Sequence, residues 1–127
     1  MQKATVYRST GIWYDVKLDN GDFIKARIKG KFRTMSIKTT NPVAVGDIVD
    51  LDFTTEGEAV IKSIDKRKNY IIRKSVNLSK EAHIIASNID LAVLLVTVIN
   101  PVTSPGFIDR FTVTAQAYNV PLLIAFN

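Results

Sequence analysis

Apolar residues alternate with others from Ile12 to Leu18: Ile12, Tyr14, Val16 and Leu18 fall on one side, Trp13, Asp15 and Lys17 on the other. A period of two marks a strand with one buried face. Asp19-Asn20-Gly21-Asp22 follows, and Asn-Gly predicts a tight hairpin because both residues tolerate positive φ. The return strand runs from Phe23 to Lys29. Ile24, Ala26 and Ile28 face the core; Phe23, Lys25, Arg27 and Lys29 face out. Val43-Ala44-Val45-Gly46-Asp47 leads into a strand at 48–53, Thr54 to Glu58 turn around Gly57, and 59–64 is the next strand. Asn69-Tyr70-Ile71-Ile72-Arg73 reads as one more. Five short strands in about 75 residues, with no long helical pattern, have the size of an OB-fold barrel, and an SH3-like barrel is the nearest rival.

The pattern then changes. Ile89 to Ile99 is rich in Val, Leu and Ile and reads as a buried strand ended by Asn100-Pro101. Ser104-Pro105 supplies a capping hydroxyl and a proline at the first helical position. Phe107, Phe111, Thr114, Ala115 and Tyr118 share one helix face, Asn119 can close the helix, and Pro121 blocks its continuation. Val120 to Phe126 reads as a strand buried on both faces, ending at Asn127. Strand, helix and strand form a βαβ unit with a parallel sheet. One such unit cannot cover both faces of its own sheet, so more chain or a partner is expected. The fold class is mainly β: a barrel at 1–75, then an incomplete α/β unit at 76–127.

With 46% hydrophobic and 23% charged residues, the chain is globular rather than disordered. The absence of cysteine excludes disulfides and thiolate metal sites, and a single histidine, His83, excludes a multi-histidine cluster; no metal site is expected. The N-terminus lacks a signal-peptide core, and the apolar run Leu91–Ile99 is about half a membrane helix. A cytoplasmic chain without membrane contact is expected. Charge is segregated. Residues 1–75 carry 15 Lys and Arg against 9 Asp and Glu, whereas residues 76–127 carry 2 against 3. This points to a polyanionic partner for the first half.

The sequence contains no phosphate-binding loop: Gly30-Lys31 is the only Gly-Lys pair, with Lys25 and Phe32 where Gly and Ser or Thr would be needed. No dinucleotide fingerprint or nucleophile elbow is present, and no catalytic residue is assigned. His83 reads as structural, and Asp47, Asp50 and Asp52 as a solvated face balancing nearby lysines. The positive signal is the acid-free tract Lys25, Arg27, Lys29, Lys31, Arg33, Lys38, with a second cluster at Lys66, Arg67, Lys68, Arg73 and Lys74. Trp13 and Phe23 share the outward faces of Lys17, Lys25 and Arg27. Cations beside aromatic rings suit single-stranded nucleic acid, where phosphates are neutralised while bases stack. The same pattern fits a solvated basic face with rings folded onto lysine stems. The candidate RNA-binding residues are Trp13, Lys17, Phe23, Lys25, Arg27, Lys29, Lys31 and Arg33.

Several tracts resemble the ribosome small-subunit-dependent GTPases: 27–33 (RIKGKFR), 41–47 (NPVAVGD), 67–73 (RKNYIIR), 83–90 (HIIASNID) and 107–111 (FIDRF). They occur in order with compatible spacing over nearly the whole chain. The resemblance implies an N-terminal OB-fold that docks on the small (30S) ribosomal subunit, a circularly permuted GTPase domain and a C-terminal zinc-binding domain. It implies action late in subunit maturation, with ribosomal RNA as partner. Permutation places the guanine motif Asn-Lys-x-Asp ahead of the phosphate loop, and Asn127 falls where that Asn would be. GTP, Mg²⁺ and Zn²⁺ are implied for the whole protein, and no cofactor for these 127 residues, which are expected neither to bind GTP tightly nor to hydrolyse it. The alternatives are a barrel that docks ribosomal protein, or one that takes generic single-stranded nucleic acid. Self-association through the incomplete α/β part is a further expectation.

Overall fold

The structure, a computed structural model, describes residues 2–28, 42–74 and 82–127. Five strands close a barrel in the order β1-β2-β3-β5-β4: β1 (Gln2–Thr10), β2 (Trp13–Leu18), β3 (Phe23–Ile28), β4 (Ile48–Phe53) and β5 (Ala59–Ile64). Neighbours are antiparallel except β3 and β5, which run parallel. That order is the OB-fold order. The expected barrel is present, but its membership differs from the sequence reading. The fifth strand is β1, and the 69–73 segment is β6 (Tyr70–Lys74), which pairs antiparallel with β7 (Ala82–Ser87). The local pattern identifies a strand but carries no information about its neighbour.

The barrel interior is Ala4, Val6, Tyr14, Val16, Ala26, Val43, Val49, Leu51, Ala59 and Ile61. Alanines at 4, 26 and 59 leave room for Tyr14, Leu51 and Ile61, the mix of small and large side chains that fills a narrow barrel. The hairpin between β2 and β3 forms as the sequence predicts. Only Gly21 takes positive φ (94°), however, while the Asn20 side chain accepts the Asp22 N–H at 2.9 Å. Asn20 therefore works as a side-chain acceptor rather than as a left-handed residue.

In the second half, β8 (Ala92–Val96) and β9 (Leu122–Phe126) pair parallel, joined by helix α1 (Pro105–Ala117). The Ser104 hydroxyl caps α1 by accepting the Phe107 N–H at 3.2 Å, and Asn119 leaves the helix at φ 57°. The strand expected over 89–99 is shorter. The Asn69 side chain takes the Ile89 N–H at 2.6 Å and donates to the Ile89 carbonyl at 2.8 Å, holding that residue outside the ladder. The expectation of strands buried on both faces also needs correction. Leu94 and Val96 are buried, but Leu95 is 65% exposed and Phe126 71%.

A buried ion pair in the first half, Asp47 with Arg67, is tied to the second half through Ser87. Asp47 is fully buried, not solvated as expected. Arg67 grips it from two nitrogens, each at 2.7 Å, and also donates to the Pro42 carbonyl at 3.0 Å. The Ala44 N–H and the Ser87 hydroxyl complete the carboxylate's shell. This hydrogen-bonded carboxylate raises the Arg67 pKa. Gly46 lies against the same joint at φ 94°, where a Cβ would stand 2.0 Å from the Ser87 carbonyl oxygen.

Candidate nucleic-acid interface

The β2–β3 register decides which side chains stand together. Trp13 lies opposite Arg27, Asp15 opposite Lys25 and Lys17 opposite Phe23. Cross-strand partners share a face, so these six side chains form one outward surface. Phe23 is 58% exposed. The Lys17 ammonium stands 5.7 Å from the Phe23 ring centroid, within cation–π range.

The structure adds a ring that the sequence reading missed. The β1–β2 register shifts between Val6 and Arg8, and Tyr7 is the bulged residue. A bulge re-aims a side chain. Tyr7 meets Phe23 edge-to-face with centroids 5.3 Å apart, and Lys17 is also 5.7 Å from the Tyr7 centroid. An open groove of about 480 Å³ is lined by Tyr7, Arg8, Asp15, Phe23, Ile24 and Lys25. The signal available in the sequence was the interrupted alternation Ala4, Val6, then Tyr7-Arg8.

Ion pairing separates this face from the rest of the basic charge. Lys3 pairs with Asp50 and Asp65, Lys62 with Asp52, Arg67 with Asp47 and Lys68 with Asp90. Asp50 and Asp52 have pKa values below the ordinary 3.8, Asp50 chiefly through the Ser63 hydroxyl and Lys3, Asp52 chiefly through Lys62. Two cations of the second basic cluster, Arg67 and Lys68, are thus engaged internally. On the β2–β3 face, Arg27 bonds Glu58 at 2.7 Å, whereas Lys17 and Lys25 have no ion pair among the described residues. Lys29, Lys31, Arg33 and Lys38 lie outside the described residues.

Asn127 follows β9, and its N–H bonds the Val96 carbonyl at 2.8 Å. Both parallel strands end at that edge, the usual ligand side of an α/β sheet. One amide cannot hold a nucleotide, and among the described residues no three His, Cys, Asp or Glu converge on a metal position. No helix of the described residues is long and apolar enough to cross a membrane. His83 stands half-buried on β7, opposite Arg73.

Two family models match, the RsgA N-terminal domain over residues 3–61 and the RsgA GTPase over residues 64–127. The chain belongs to the RsgA family. Relatives named small ribosomal subunit biogenesis GTPase RsgA are 60% identical in Flavobacterium johnsoniae and 59% identical in Christiangramia forsetii. Each match takes in 98% of this chain but only 39% and 41% of the relative, so the chain spans about two-fifths of their length. Among solved structures, YjeQ from Thermotoga maritima superposes with a TM-score of 0.69 at 28% identity, over 99% of this chain and 41% of that one. YloQ, described as a circularly permuted GTPase, gives 0.68 at 26% identity, over 99% and 40%. The RsgA resemblance therefore covers the barrel and the β8-α1-β9 unit alike.

Proposed function

We propose that this chain belongs to a GTPase of small-subunit biogenesis, as its RsgA relatives are named, and that its barrel is the part that binds ribosomal RNA. The observation carrying the RNA reading is the β2–β3 face, where Trp13 stands opposite Arg27 and Phe23 opposite Lys17, with Lys25 on the same face opposite Asp15. Rings stack on unpaired bases while the cations neutralise phosphate. Lys29, Lys31 and Arg33 extend the same tract in sequence. The unit boundary is placed near residue 75, and a cytoplasmic location goes with the ribosomal role. GTP and Mg²⁺ belong to the activity of the whole protein and Zn²⁺ to its zinc-binding domain. Within these 127 residues only Asn127 is assigned to the guanine site.

Binding of naked small-subunit RNA, measured across a salt series, tests this reading. With Z phosphates neutralised, log K falls against log salt with a slope of about −0.7Z. Replacing both Lys17 and Lys25 by Gln should flatten that slope by about 1.4. A salt-independent interaction, or binding to purified ribosomal proteins with none to RNA, would refute it in favour of protein docking. The exposed apolar faces of β8 and β9 are proposed as a self-association surface; sedimentation that stays monomeric at high concentration would exclude this.

A further inference from the structure

The groove on the barrel contains a group that a phosphate-tracking surface does not need. Asp15 stands among the cations, opposite Arg8 on β1 and Lys25 on β3. It lines the groove together with Tyr7 and Phe23. Among the described residues it forms no ion pair with either neighbour. A carboxylate repels phosphate but accepts strongly from an exocyclic amino group, such as N4 of cytosine. The Tyr7 and Phe23 rings offer the apolar surface beside it, and Lys17 reaches both rings.

We infer that this groove is a pocket for one unpaired nucleobase, and that Asp15 selects bases carrying an exocyclic amino group, cytosine, adenine or guanine, over uracil. The inference rests on the proposed RNA-binding role and assigns it a base-level site. The base packs on the exposed Phe23–Tyr7 pair, its amino hydrogens point to the Asp15 carboxylate, and Arg8 and Lys25 face the flanking phosphates. Uracil presents O4 at the corresponding position, an acceptor facing an acceptor. Tyr7 is thereby a binding residue, brought there by the bulge.

Cytosine and uracil have the same ring size, so their comparison isolates the amino group from stacking area. Fluorescence-labelled oligo(C) and oligo(U) ribonucleotides would be titrated with the full chain at fixed and at varied salt. Oligo(C) should bind about fivefold tighter or more. Tyr7→Ala and Phe23→Ala should each weaken binding by about fivefold to a hundredfold, with Tyr7→Phe retaining it. Asp15→Asn should abolish the preference for oligo(C), because an amide can present a donor to O4 as readily as an acceptor to N4. Thermal melts identify any variant that fails to fold. Equal affinity for the two oligomers, or unchanged binding by both alanine variants, with a normal salt slope would overturn the base pocket and leave the RNA-binding role standing. Absence of binding to any RNA at low salt would overturn both.

Discussion

The two halves treat similar apolar strands differently. In the barrel, each of β1 to β5 has a neighbour on both sides, and the inward side chains bury one another. The β8–β9 sheet has two strands, hence two open edges, and Val93, Leu95, Leu123 and Phe126 remain exposed. Closure removes edges; a two-strand sheet has only edges and needs further protein against its faces. The contrast divides the labour. The barrel is stable enough to present a chemical surface, while the βαβ unit is built to be covered.

The joint between the halves offers the strongest way to break that contrast. Arg67→Ala leaves Asp47 buried with a carboxylate that, among the described residues, keeps only its bonds from Ser87 and Ala44. Removing one partner of a buried pair costs about 3–5 kcal/mol, so the urea midpoint should fall sharply. Gly46→Ala attacks the same joint through the backbone, since the Ser87 carbonyl that a Cβ would strike cannot rotate away. Strain at positive φ together with that clash should cost about 3 kcal/mol. A wild-type midpoint in either variant would show that the joint is not structural.

A matched pair of leucines sharpens the contrast further. Leu51 is fully buried in the barrel, and Leu51→Ala should cost about 2–5 kcal/mol in chemical denaturation. Leu95 belongs to a strand more apolar than β4, yet it is 65% exposed, and Leu95→Ser should change stability by less than about 0.5 kcal/mol. Similar losses at the two sites would mean that β8 is covered after all.

How much the sequence discloses follows the same division. The β2–β3 hairpin is legible because its alternation and its Asn-Gly turn agree, and α1 is legible from Ser104-Pro105 and the Asn119 stop. β1 is hidden because its bulge at Tyr7 breaks the period of two. The cost of that omission is Tyr7 itself, the ring that completes the groove. Asp47 and Arg67 are 20 residues apart, and nothing in local spacing distinguishes a buried ion pair from solvated charges. Neither the partner of β6 nor the exposed face of β8 can be read from strand composition, because both depend on which elements come together in space.

Trp13 is the single tryptophan of the chain and stands on the proposed RNA-binding face opposite Arg27. Its emission therefore reports on that face alone. Titration with single-stranded RNA from the small subunit should quench it saturably, and raising the salt should shift the midpoint to higher RNA concentration. Unchanged Trp13 emission while an independent assay shows the RNA bound would place the contact elsewhere on the molecule and contradict the account.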